Sequence, residues 1–326
     1  MLEETSIASL LMYIRGSQRF TRRTLTFEPH PPEEGGSKDT IFVRELPVIA
    51  GWVGCGVWDA AIIMSRYLIT HPEVLQGKRV LELGSGVGLT GLIASRFSDE
   101  VVLTDYSESI LENLEYNIWL NAADLTNEHL DDIFPEDRDA QARFRTQGQA
   151  ISRAAKVAYL DWFHPMLSEK PVESFESDTN RKLPLNGFRR RVPGGVALGR
   201  FPMIIGSELT YQLSGVEELA EVIDIFLEEG GVFFEILSIY RGPGPRRFME
   251  LMEENGWVVE AREPDLGLCD NIDSVQSRNR NERYLFWTLF RKRDLQRLGD
   301  IFPRFGIAPP LDWKSFHFTG ERNEIV

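Results

Sequence analysis

From residue 79 onward, short apolar runs alternate with longer segments whose apolar residues recur every three or four positions. Arg79-Val80-Leu81-Glu82-Leu83 reads as a strand ending in a glycine turn, and Thr90–Phe97 as the helix that follows it. Val101–Asp105 reads as a buried strand ending on an acid. In the next helix Ile110, Leu114 and Ile118 form one stripe, and Ser109 followed by Glu112 has the spacing of a capping box. Further strands are expected at Lys156–Leu160, Phe201–Ile205, Val232–Leu237, Trp257–Glu260 and Tyr284–Phe290. Helices are expected at about 215–227, with Val216, Leu219, Ala220, Ile223 and Phe226 on one face, and at about 246–255. Strands separated by helices of roughly 10–15 residues imply an α/β fold with a mainly parallel sheet. No crossover helix separates the last two strands, because residues 262–283 are polar and rich in Gly, Asn and Arg. The final strand is therefore expected to run antiparallel at the sheet edge.

Two stretches break the alternation. Residues 122–155 are acid-rich, with Glu128, Asp131, Asp132, Glu136, Asp137 and Asp139. Residues 164–200 lack periodicity, and their second half carries Arg181, Lys182, Arg189, Arg190, Arg191 and Arg200 without an acid. Both read as insertions into one domain. Ahead of the alternation, Thr24–Glu28 and Ile41–Glu45 are expected to pair as a hairpin around His30–Ser37. At roughly 150 residues per domain the 326-residue length suggests two domains, but no linker divides the chain.

Hydrophobic residues make up 42% of the chain, which excludes disorder throughout. The net charge of −14 repels nucleic acid and anionic membranes and attracts basic partners. Two cysteines, Cys55 and Cys269, make neither a disulfide framework nor a zinc cluster. The start, MLEETSIASL, is acidic where a signal peptide is basic. No apolar run reaches the ~18 residues that span a bilayer, and Arg66 interrupts the one near 60–69. A cytoplasmic protein is expected, with the nucleus open as a second location.

The chemistry concentrates at Glu82-Leu83-Gly84-Ser85-Gly86-Val87-Gly88, a strand running into a glycine turn. Leu89 stands where a dinucleotide fingerprint needs its third glycine. A pyrophosphate would also be repelled by Glu82, two residues ahead of the first glycine. An ammonium or sulfonium ligand would tolerate or use that carboxylate, and S-adenosylmethionine is such a ligand. Asp105 lies 21 residues past Gly84 at the end of the next strand, an offset at which an acid can accept ribose hydroxyls.

With this glycine loop and acid, the chain resembles the class I, seven-strand methyltransferases. Three further motifs make it similar to the family-16 protein methyltransferases, which mostly modify lysines of other proteins. They are Val57-Trp58-Asp59-Ala60-Ala61, Leu160-Asp161-Trp162, and Glu208-Leu209-Thr210-Tyr211 after the fourth strand. The resemblance covers about residues 40–292. It implies a Rossmann-like seven-stranded sheet with an antiparallel last strand and helices on both faces. It divides the chain into an extension (1–50), the methyltransferase domain with its insertions (51–293) and a tail (294–326).

The same resemblance implies that Trp58, Gly84, Ser85, Gly86, Asp105, Asp161, Trp162 and Ser207 surround S-adenosylmethionine. Glu82 and Gly88 would shape the loop. Glu208 and Tyr211 would orient the incoming amine. The acid-x-x-Tyr motif commonly begins with Asp in this family, and Ser207 stands where many lysine-modifying members carry a small apolar residue. The Ser-Glu-x-x-Tyr version resembles the histidine-methylating branch, so histidine stays open beside lysine. Phe163 stands where a glycine often follows.

Methyl transfer from a sulfonium needs no metal, and His30, His71, His129, His164 and His317 lack metal-ligand spacing. The partner expected is a protein substrate, a basic one such as a translation factor, chaperone or histone-like protein. No membrane contact is expected, and nucleic acid only through Arg189–Arg191. A small-molecule or RNA methyltransferase on the same fold, and a non-catalytic cofactor-binding scaffold, are the rival readings.

Overall fold

The computed structural model describes residues 13–14, 18–19, 21–27, 39–46, 53–122, 127–135, 137–167, 198–239, 242–270, 272, 283–294 and 311–316. Nine of its strands matter here: β1 (Thr21–Phe27), β2 (Asp39–Glu45), β3 (Arg79–Leu83), β4 (Glu100–Asp105), β5 (Ala155–Tyr159), β6 (Phe201–Ser207), β7 (Leu227–Ser238), β8 (Trp257–Arg262) and β9 (Tyr284–Arg291). The helices are α1 (Asp59–Thr70), α2 (Leu89–Ala94), α3 (Glu108–Asn121), α4 (Asn127–Ile133), α5 (Arg138–Ala154), α6 (Val216–Phe226) and α7 (Gly244–Glu254).

Seven strands form one sheet in the order β8-β9-β7-β6-β3-β4-β5, parallel except for β9, which runs antiparallel to both of its neighbours. The antiparallel last strand is present, but not at the edge. It is inserted between β7 and β8, because all eight of its residues are buried, as an interior strand requires. β8 alternates buried and half-buried positions and takes the edge instead. Its outer side is met by the tail, where Leu311 donates its N–H to the Ala261 carbonyl at 2.8 Å and Trp313 packs edge-on against Trp287.

Helices cover both faces. On one, α1 lays Tyr67 against Phe234 and Phe286, with α2 and α3 beside it. On the other, the Val216, Leu219, Ala220, Ile223 and Phe226 stripe of α6 packs with Phe248, Met249 and Met252 of α7. α2 is shorter than the expected Thr90–Phe97. α3 starts before the expected capping box: its N-cap residue is Ser107, which places Ser109 already inside the helix. Among the described residues no helix is long and apolar enough to cross a membrane.

The acid-rich stretch 122–155 contains α4 and α5. α5 buries Gln141, Phe144, Gly148, Ile151 and Ala154 at helical spacing, and Phe144 meets Phe42 edge-on at 5.4 Å. Most of the second stretch, with the run Arg189-Arg190-Arg191, lies outside the described residues.

β1 and β2 pair antiparallel, Thr21 with Glu45 through Phe27 with Asp39. The outer edge of β2 meets α3 rather than a third strand. Asn117 and Asn121 accept the N–H groups of Arg44 and Phe42 at 2.7 and 2.8 Å, and Asn113 and Asn121 return bonds to the Arg44 and Phe42 carbonyls. The match is geometric. Four residues of helix advance about 6 Å, and two residues of strand advance about 6.7 Å, so asparagines four apart serve strand residues two apart.

Candidate functional site

Ligands of open α/β sheets bind at the carboxyl ends of the strands, where β3, β4 and β6 deliver the expected residues. The loop after β3 carries Gly84, Gly86 and Gly88 at φ +59°, +53° and +84°, the left-handed region. A methyl group on Gly86 would lie 3.2 Å from the carbonyl oxygen of Gly54, so the turn Val53–Cys55 rests on bare backbone there. Trp58, half-buried at the head of α1, fastens that turn by donating its indole N–H to the Val53 carbonyl at 2.8 Å. Ser85 is tied down through its N–H to the Thr104 carbonyl and through its hydroxyl oxygen, which accepts the Thr104 N–H. Asn117 also donates to the Val87 carbonyl at 2.8 Å, so the ladder that holds β2 holds this loop too.

Glu82 lies beneath the loop rather than in it. Its carboxyl is buried, accepts the Gly91 N–H at 3.1 Å and is pushed up to about 8 by burial. It therefore supports the turn in neutral form and is placed as a loop-shaping residue, not as a counter-charge facing a sulfonium.

Asp105 ends β4. Its Oδ2 accepts the Gly86 N–H at 3.3 Å, and its Oδ1 accepts the N–H groups of Tyr106 and Ser107 at 2.8 and 3.1 Å. A carboxylate offers about four lone-pair sites, so one is left for a ribose hydroxyl, and a second hydroxyl would displace the long bond from Gly86. Burial raises its pKa, and the three N–H bonds oppose that rise.

After β5, the Asp161 carboxylate turns back on its own loop, accepting the Phe163 N–H at 3.0 Å and meeting His164 Nδ1 at 3.2 Å. Trp162 passes over the glycine loop, its Cζ2 3.7 Å from where a Gly84 methyl would sit.

β6 ends at Ser207, and Glu208 follows at φ +58°, the one non-glycine residue with positive φ among those described. Its N–H bonds the Ile236 carbonyl at 3.0 Å and its Oε1 accepts the Ser238 N–H at 2.8 Å. Leu209 folds back onto Gly206, where any side chain would collide with it, and reaches Gly84 across the strand pair. Tyr211 is half-buried. Burial first, then Tyr106 and Asp105, raise its phenol, so it stays protonated and can donate.

The structure thus gathers the glycine loop, Asp105 and Trp162 on one side and Ser207, Glu208 and Tyr211 on the other, joined where Leu209 meets Gly84. The loop glycines leave a cradle and Asp105 an open acceptor, a donor set that fits S-adenosylmethionine. Sequence reasoning missed Leu209, Gly206 and the fully buried Glu235, which accepts the Leu209 N–H at 2.9 Å. It also missed a rim of exposed apolar side chains, Val53, Tyr106, Phe163, Met166 and Leu213, on the turns around this edge.

Residues 48–133 match the family model described as lysine methyltransferase. The chain is 39% identical over 93 residues to the mouse (Mus musculus) histone-arginine methyltransferase METTL23, covering 28% of this chain and 34% of that protein. It is 40% identical over 70 residues to the Cryptococcus neoformans protein N-terminal and lysine N-methyltransferase EFM7, 21% of this chain and 23% of that one. Against the human (Homo sapiens) protein-lysine N-methyltransferase EEF2KMT it is 38% identical over 92 residues, 28% of each chain. The match spans about a quarter to a third of the length of these relatives.

Proposed function

We propose that this protein is an S-adenosylmethionine-dependent methyltransferase that N-methylates a lysine side chain of another protein. The observation that carries the reading is the contact of two built pieces on adjacent strands. A glycine cradle closed by Asp105 ends β3 and β4, and a strained Glu208–Tyr211 turn ends β6 and touches the cradle through Leu209. When bound, S-adenosylmethionine supplies a methyl group on a sulfonium, which an amine lone pair can take in line.

The chain's own residues align the reactants. Asp105 accepts a ribose hydroxyl, and Trp162 and Trp58 flank the loop. The Glu208 carboxylate and the protonated Tyr211 phenol orient the amine, and alignment of this kind supplies much of the rate. A lysine with a pKa of ~10.4 in water must lose a proton first, which desolvation in a closed site favours. The apolar rim suits a folded or peptide surface better than a free metabolite, and the net charge of −14 favours a basic one.

Arginine is a second acceptor, favoured by the likeness to the mouse histone-arginine enzyme. The test incubates the protein with methyl-labelled S-adenosylmethionine and a cell lysate, then hydrolyses the labelled product. Methyllysine supports the first reading and methylarginine the second. Label confined to RNA or metabolites sinks both. In the same assay Asp105→Ala should weaken cofactor affinity on the order of 100-fold, since charge-assisted hydrogen bonds are worth ~1.5–3 kcal/mol. An unchanged dissociation constant by calorimetry would refute its ribose role.

A further inference from the structure

The acceptor turn rests on β7 at three points. Two of them, the Glu208 N–H to the Ile236 carbonyl and the Ser238 N–H to the Glu208 carboxylate, involve the motif's own acid. The third is made by a residue outside the motif. Glu235 is fully buried, and its Oε1 accepts the Leu209 N–H at 2.9 Å. Its Oε2 meets no hydrogen-bond partner among the described residues. A buried carboxyl is expensive, and a β7 position facing an apolar cluster would ordinarily hold a hydrophobe. Phe233 and Leu237, which share this face, do.

Register explains why the carboxyl stands there. Glu235 pairs with Gly206 on β6, the glycine over which Leu209 folds back. The same Leu209 reaches Gly84 of the cofactor loop, so one hydrogen bond sits between the strained Glu208 and the cradle.

We propose that Glu235 is the positioning residue of the acceptor turn: by holding the Leu209 N–H it keeps Glu208 in its left-handed conformation and Leu209 against the cofactor loop. The proposal rests on the methyl-transfer reading above. Burial, reinforced by the Glu208 charge, pushes the Glu235 carboxyl up to about 8. Glu208 is the charged group that faces it, and its cross-strand neighbours Gly206 and Trp287 carry none.

The test uses full-length wild-type, Glu235→Ala and Glu235→Gln proteins. Cofactor affinity is read by calorimetry, and transfer by tritium passed from S-adenosylmethionine to a core-histone mixture and to lysate proteins. The Ala variant should bind cofactor within about 3-fold of wild type yet transfer at least ~10-fold more slowly, with the loss in kcat. Gln keeps the acceptor oxygen and should restore the rate to within about 3-fold. A folded Ala variant that transfers like wild type overturns the role of Glu235 alone, whereas a wild-type protein that binds no S-adenosylmethionine overturns the methyl-transfer reading with it. If the Ala variant does not fold, Glu235→Leu, which keeps the side-chain volume and removes the acceptor of the Leu209 N–H, takes its place with the same expectation, and a folded Leu variant that transfers like wild type overturns the proposal.

Discussion

In the loop after β3 the left-handed positions fall to Gly84, Gly86 and Gly88, whereas in the turn after β6 the left-handed position falls to Glu208. Both segments rest on a buried glutamate that accepts one backbone N–H, Glu82 from Gly91 and Glu235 from Leu209, and both carboxyls are pushed up to about 8. The two glutamates lie on opposite faces of the sheet, since Glu82 pairs with Ile205 while Glu235 pairs with its neighbour Gly206. The supports are alike, and the residue doing the bending is not. Glycine bends without strain but brings no side chain, which suits a loop that must present bare backbone to a ligand. A left-handed glutamate costs of order 1–2 kcal/mol and persists only where the surroundings over-determine it. Strain is kept where a side chain is needed.

The loop also has a lateral support that the turn lacks, the neutral asparagine ladder of α3, and breaking it should give the largest effect. Asn117→Leu leaves the Arg44 N–H and the Val87 carbonyl without this partner. At ~1–3 kcal/mol for each stranded buried group the loss is about 4 kcal/mol, or roughly 10 °C in Tm for a domain of this size. Cofactor affinity should fall with it, because Val87 belongs to the loop. A shift under about 3 °C by scanning calorimetry would mean that the hairpin and the loop are not coupled through this residue.

The buried glutamates distinguish the halves by pH. A carboxyl whose folded pKa is raised binds its proton more tightly in the native state. Its contribution to stability is complete below the unfolded value of 4.5 and is lost as pH climbs through about 8. Inside that window each group removes at most about 1.4 kcal/mol per pH unit. Glu82→Gln and Glu235→Gln should each flatten the fall in denaturation midpoint between pH 6 and 7, while Asn117→Leu should leave the slope alone. A wild-type midpoint that rises over this interval contradicts both assignments.

Much of this was legible in the chain. Apolar runs located the seven strands, and the glycine turn and Asp105, singled out together, do meet at the carboxyl ends of β3 and β4. The place of β9 was misread, although its run Tyr284–Phe290, apolar but for Thr288, already had the character of an interior strand. Trp257–Glu260 carries no polar alternation that would have marked β8 as the edge. The asparagine ladder was hidden because periodicity was sought in apolar residues. Asn113, Asn117 and Asn121 recur every four like the Ile110 stripe, but polar residues at that spacing are usually solvated. Glu235 left no local trace at all. It sits mid-strand among apolar neighbours, and its partner is 26 residues away, set by pairing between β6 and β7.

The finest test of the comparison exchanges the bending residues. Glu208→Ala and Glu208→Gly both delete the carboxylate that accepts the Ser238 N–H, so the lost hydrogen bond cancels between them. They differ in that alanine must still adopt φ +58° and glycine adopts it freely. The gain from relieved strain is partly offset by the greater freedom of glycine in the unfolded chain, which leaves the Gly variant about 1 kcal/mol more stable than the Ala variant. Neither should transfer a methyl group at the wild-type rate, and both should bind S-adenosylmethionine, because Asp105 and the glycine loop are intact. If Gly is no more stable than Ala, the turn is not strained, and Glu208 is held there by its contacts alone. If instead the Gly variant is the more stable and still inactive, the left-handed glutamate is a position where stability has been given up for a carboxylate that the reaction requires.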